Sequence, residues 1–81
     1  MHLKVTFYSY FKDLTGCAET SVSVPAGSTL ADLVKTLSGE FPRLEAMQRS
    51  LLMAVGVDYQ PRDYMLKDGD QVSLFPPVQG G

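Results

Sequence analysis

Eighty-one residues with a formal net charge of −2 describe a single small domain. A chain this short hides only about 60% of its unfolded surface on folding, so its core is thin and a deep private active site is hard to fit. The ordinary apolar share excludes disorder, and the scattered lysines and arginines exclude both a nucleic-acid footprint and a polybasic membrane patch. Cys17 is the only cysteine, which excludes an internal disulfide, an iron–sulfur cluster and a cysteine-based zinc site. A lone thiol fits a reducing compartment. The N-terminal residues alternate apolar and polar instead of forming the apolar core of a signal peptide. No segment is long and apolar enough to span a bilayer, and the expected location is cytoplasmic.

Leu3, Val5 and Phe7 alternate with Lys4, Thr6 and Tyr8, the period of a strand with one buried face. Ser9 to Gly16 breaks that period and reads as a loop with room for one helical turn. Glu19 to Val24 alternates again, with Val22 and Val24 inward, and should pair with the first strand as an antiparallel hairpin. Pro25-Ala26-Gly27 ends it. Thr29 is placed to cap a helix, with Asp32 three residues on as the acidic half of a capping box. Leu30, Leu33, Val34 and Leu37 form its apolar stripe. Phe41-Pro42 stops it, because the residue before proline is pushed out of helical geometry.

Arg43 to Ser50 can hold a short second helix with Leu44 and Met47 inward. Leu51 to Val57 is nearly all apolar, which predicts a central strand covered on both faces. Asp58 to Lys67 reads as irregular. Asp68-Gly69-Asp70 is a turn signal, and Gln71 to Phe75 is the last strand, with Val72 and Leu74 inward and Ser73 and Phe75 outward. Pro76-Pro77 ends it, since proline cannot donate to a ladder. The order strand, strand, helix, strand, strand predicts an α+β, β-grasp (ubiquitin-like) roll: a mixed sheet of four or five strands with one main helix on one face. Residues 1–75 form the domain and residues 76–81 an extended C-terminal tail.

That tail reads Pro76-Pro77-Val78-Gln79-Gly80-Gly81. From Gln71 onward no side chain is charged, so the segment can enter a partner's pocket without desolvating a side-chain charge. The two prolines favour a stiff, extended conformation, which lowers the entropy lost on docking. Gly80 and Gly81 can thread a channel too narrow for any Cβ. A bare carboxylate is a poor electrophile and must first be activated, commonly as an acyl-adenylate made from ATP; attack by sulfide then gives a thiocarboxylate. A second protein can supply the basic groups that stabilise charge in these steps. A terminal Gly-Gly by itself is a weak signal, because frayed ends often carry small residues; the proline brace directly after a strand strengthens it.

Leu66-x-Asp68-Gly69-Asp70-x-Val72 followed by Phe75-Pro76-Pro77-Val78-x-Gly80-Gly81 resembles the molybdopterin synthase small subunit, the MoaD-type sulfur carrier of the ubiquitin-like β-grasp family. The Leu14-x-Gly16 loop, Thr29-Leu30 at the helix start and the apolar Leu51–Val57 segment fit the same pattern. Val55-Gly56 departs from the Val-Asn common in that family, though both Asn and Gly tolerate left-handed backbone.

The resemblance implies that a ubiquitin-activating-like adenylyltransferase uses ATP to adenylate Gly81. Sulfur transfer then makes the thiocarboxylate. The loaded tail next enters the large subunit of molybdopterin synthase and donates sulfur to cyclic pyranopterin monophosphate, building the dithiolene of the molybdenum cofactor. It also implies a heterotetramer with the catalytic residues on the large subunit, and a small subunit that holds no cofactor of its own.

Partner binding is expected of Phe75, Pro76, Pro77, Val78, Gln79 and Gly80. Tyr8, outward by strand parity, and Tyr59, in a polar stretch, are candidates beside them, since exposed aromatics can anchor interfaces; scattered surface aromatics are also normal. Lys12 reads as a solvated loop lysine, Cys17 as incidental and His2 as surface. Asp68 and Asp70 are turn residues, because their spacing lacks the further ligands of a calcium loop. The alternatives are a ubiquitin-like modifier joined to lysines through Gly81, a sulfur carrier of another pathway (thiamine or tRNA thiolation), and a passive interaction module.

Overall fold

A computed structural model describes residues 1–77. The chain runs through β1 (His2–Phe7), α1 (Phe11–Thr15), β2 (Glu19–Ser23), α2 (Leu30–Glu40), a 3-10 turn at Pro42–Met47, β3 (Leu52–Val55), β4 (Asp58–Tyr59) and β5 (Gln71–Phe75). The strands form one sheet in the order β2-β1-β5-β3-β4. β1 and β2 pair antiparallel, β5 lies parallel to β1, and β3 is antiparallel to both β5 and β4. This is the β-grasp arrangement that the sequence pattern predicts.

Period-two patterning decides which face of the sheet is covered. Leu3, Val5 and Phe7 of β1, Val22 of β2, Met53 of β3, and Val72 and Leu74 of β5 point to one side and are buried. They pack with Leu30, Leu33, Val34 and Leu37 of α2 into one core. α2 starts as its sequence dictates: Asp32 N–H donates to the Thr29 hydroxyl, and Thr29 N–H donates to the Asp32 carboxylate, closing the capping box. It ends at Phe41 before Pro42. The chain then tightens into the 3-10 turn, which buries Leu44 and half-buries Met47. Phe41 meets Phe7 edge-on, with ring centroids 5.6 Å apart.

The segment after β1 holds the one helical turn that its sequence allows, and it also contributes to the core: Phe11 is fully buried. Two expectations need correction. The apolar run Leu51–Val57 is not a central strand covered on both faces. Only Leu52–Val55 is strand, next to the short edge strand β4, and β5 holds the centre. Gly56, at φ 63°, turns the chain there, and Val57 is left 96% exposed at the turn. A run of apolar residues cannot by itself distinguish a two-face-buried strand from a strand plus a hairpin turn. Finally, Asp58–Lys67 is not wholly irregular, since Asp58 and Tyr59 pair with Val55 and Ala54 as β4.

The Asp68-Gly69-Asp70 turn forms as expected. Asp70 N–H donates to the Lys67 carbonyl, and the Asp70 carboxylate accepts from Lys67 N–H and from the Tyr64 hydroxyl. His2 N–H donates to the Asp68 carboxylate, fastening the turn to β1. These carboxylates are occupied in holding the loop, and no group of three potential metal ligands occurs among the described residues.

Candidate functional site

Strand register builds the other face of the sheet. Directly opposed residues share a face, so Leu52 joins Phe75, Ala54 joins Ser73 and Tyr59, and Thr6 joins Ser73. This face is not covered by the helix. It has two unlike ends. At one end Lys4 pairs with Glu19 at 3.7 Å beside Gln71. The other end, where β5 runs out toward Pro76, is aromatic.

There Tyr8 stacks on Phe75 with ring centroids 4.7 Å apart and planes 11° from parallel. Tyr59 tilts against the same ring at 6.0 Å. The three rings come from β4, the end of β5 and the residue after β1, segments far apart in the chain. Tyr8 N–H donates to the Leu74 carbonyl, which fixes the backbone beneath the stack. Phe75 is half-buried under its neighbours, whereas Tyr8 is 43% and Tyr59 69% exposed. An aromatic cluster left open on a small domain is the composition of an interface centre: large area, few rotatable bonds and little cost of ordering.

The structure thus brings together Phe75, Tyr8 and Tyr59, with Pro76 and Pro77 following directly and half-buried. Val78, Gln79, Gly80 and Gly81 lie outside the described residues. Two residues of this face escaped sequence reasoning. The apolar run places Leu52 and Ala54 in a strand buried on both faces, and only their pairing with Phe75 and Ser73 puts them on this face, where Ala54 is buried among its neighbours and Leu52 is half-buried. Local alternation in the run Leu51–Val57 gives no such signal, because almost every position is apolar.

The remaining candidates stay away from this end. The Cys17 thiol is half-buried against the Thr15 hydroxyl at 3.7 Å. His2 shares a 3.0 Å hydrogen bond with the Ser23 hydroxyl on the surface. Lys12 is exposed on α1. Among the described residues no constellation of nucleophile, base and orienting acid appears near the aromatic patch. No helix there is long and apolar enough to cross a membrane.

A helix-backed five-stranded sheet whose central strand leads into the C-terminal segment defines a ubiquitin-like β-grasp domain. The particular family follows from its sequence: the chain belongs to the ThiS family, which it matches over residues 5–81. It is similar to the molybdopterin synthase sulfur carrier subunit of Escherichia coli (strain K12), 33% identical over 81 residues that cover 98% of this chain and 99% of that one. Among solved structures it resembles a putative molybdopterin converting factor, subunit 1, from Pyrococcus furiosus. That likeness has a TM-score of 0.88 at 28% identity and covers 96% of this chain and 99% of the other. It also resembles a chain from the complex of subunits 1 and 2 of molybdopterin-converting factor from Helicobacter pylori 26695. There the TM-score is 0.70 at 26% identity, with 100% of both chains covered.

Proposed function

We propose that this chain is the sulfur-carrier small subunit of a molybdopterin synthase. The observation that carries this reading is the full-length likeness to the molybdopterin synthase sulfur carrier subunit of Escherichia coli (strain K12). The ThiS family match, which runs through the Gly-Gly end to residue 81, supports it. In this reading residues 76–81 are an arm and the Gly81 carboxylate is the working group. The carboxylate attacks the α-phosphate of ATP on a ubiquitin-activating-like adenylyltransferase, and pyrophosphate leaves. A sulfur donor then displaces AMP, leaving a thiocarboxylate. The large subunit takes up the loaded arm and supplies the catalytic groups, and sulfur passes to cyclic pyranopterin monophosphate.

The aromatic end of the open sheet face is the docking surface in this scheme, with Phe75 at its centre and Tyr8 and Tyr59 flanking it. Its position at the exit of β5 means that a partner seated on it lies where the arm begins. The Helicobacter complex of subunits 1 and 2 supports a large-subunit partner.

The test is intact-mass measurement of the protein purified from its own cells. Replacement of one terminal oxygen by sulfur is expected. Ladders of conjugates on lysines, without the thiocarboxylate, would instead establish a modifier. Deleting Gly80-Gly81, or adding a residue after Gly81, should abolish sulfur loading and product formation; persistent activity, with processing excluded, would refute the role of the arm.

A further inference from the structure

Beside the aromatic patch, β3 and the segment after β4 enclose an open cleft of about 490 Å³. Its apolar wall comes from Leu52, Met53, Tyr59 and Pro61, with Gln60 and Arg62 adding the polar groups. The cleft has a fixed frame. Gln60 N–H donates to the Met53 carbonyl, Tyr64 N–H donates to the Pro61 carbonyl, and the Arg62 carbonyl accepts from Ala31 N–H at the start of α2. The backbone that carries Arg62 is therefore pinned between sheet and helix. Arg62 is a half-buried residue that also borders a second cleft holding Glu45, yet its guanidinium has no ion pair or hydrogen bond among the described residues. An unpaired cation on the rim of an apolar cleft is matched by an apolar group that carries a carboxylate beside it.

We propose that this cleft is a second anchor point for the large subunit, receiving a bulky apolar side chain with an acidic residue next to it that pairs with Arg62. The inference rests on the carrier reading, because continuity selects the occupant. Leu52 and Tyr59 belong both to the cleft and to the open face that holds Phe75, so a partner that covers the patch reaches the cleft without a gap. The size suits a large side chain with its flanking backbone. The two halves of the site divide the work. The apolar wall supplies burial, and Arg62 fixes which way round the partner segment lies.

The test measures binding of full-length wild-type and variant chains to the purified large subunit by calorimetry, with circular dichroism and melting checking the fold. Gln60→Trp, which fills the cleft, and Arg62→Glu, which reverses its charge, should each weaken binding by about tenfold or more. Arg62→Gln should flatten the salt dependence of the affinity. Phe75→Ala serves as the reference for the patch. If Phe75→Ala weakens binding while Gln60→Trp and Arg62→Glu bind like wild type, the cleft is no anchor and the proposal falls, with the carrier reading intact. If the wild-type chain does not bind the large subunit at all, the carrier reading falls with it. A salt dependence identical in wild type and Arg62→Gln would overturn the acidic half of the proposal.

Discussion

Phe75 has two roles at the scale of the single residue. Its ring is the centre of an aromatic cluster, flanked by Tyr8 at 4.7 Å and Tyr59 at 6.0 Å, and its backbone is the last of β5. Phe75→Ala should leave the core intact, because Val72 and Leu74 carry the buried side of that strand. Its expected effect is a loss of about tenfold or more in affinity for the large subunit, read by calorimetry. Gly56 poses a different question. It sits at φ 63°, with nothing within 4 Å of where a Cβ would stand, so the constraint is backbone conformation and not space. Gly56→Val should cost about 1–2 kcal/mol in denaturant unfolding, while Gly56→Asn should cost less, since asparagine tolerates the left-handed region. Tyr64 is held against Asp70 by a 3.3 Å hydrogen bond. Partial burial and the neighbouring carboxylate push its phenol above the usual tyrosine range.

The helix start is the clearest prediction at the scale of the element. Thr29 and Asp32 close a reciprocal cap, and the hydrogen bonds from Thr29 hold the Asp32 carboxyl below the usual carboxylate range. A depressed folded pKa means stability that is present above the unfolded pKa, about 3.9, and lost as pH falls through the folded value. Loss of the N-cap in Thr29→Ala should cost about 1 kcal/mol. It should also make the acid limb of the stability curve shallower, as followed by denaturant melts across pH. The centre of the sheet behaves otherwise. Leu74 is fully buried between β1 and β3, and Leu74→Ala should cost about 2–5 kcal/mol. A domain of this size has little stability in reserve, so that variant should be largely unfolded at physiological temperature by circular dichroism.

At the scale of the whole molecule, the domain has one face committed to folding and one left open. Helix α2, Phe11 and Leu44 cover the first. The second runs from a charged end at Lys4 and Glu19 to an aromatic end beside the exit of β5. A domain this small has a thin core, and the proposed function accordingly places the chemistry of Gly81 in the partner proteins. Because the aromatic patch lies where the segment after β5 begins, the proposed function makes docking and delivery one event. Separating them should be costly: a flexible insertion between Phe75 and Pro76 should leave binding to the large subunit nearly unchanged while lowering product formation. Equal losses in both would count against this arrangement.

Local signals in the sequence determined much of this. Alternation in Leu3–Phe7 and Gln71–Phe75, the Thr29/Asp32 cap, the Pro42 stop and the Asp68-Gly69-Asp70 turn each act within a few residues, so each can be read from the chain itself. The terminal Pro-Pro-Val-Gln-Gly-Gly pattern belongs with them as the source of the functional reading. Tertiary structure decided what depends on register across the sheet. It put β5 at the centre, placed Leu52 and Ala54 on the open face, drew Phe11 inward and gathered Tyr8, Tyr59 and Phe75 around one another. The physical reason is that a strand's two faces are equivalent until its neighbours are paired, and those pairings join residues dozens of positions apart.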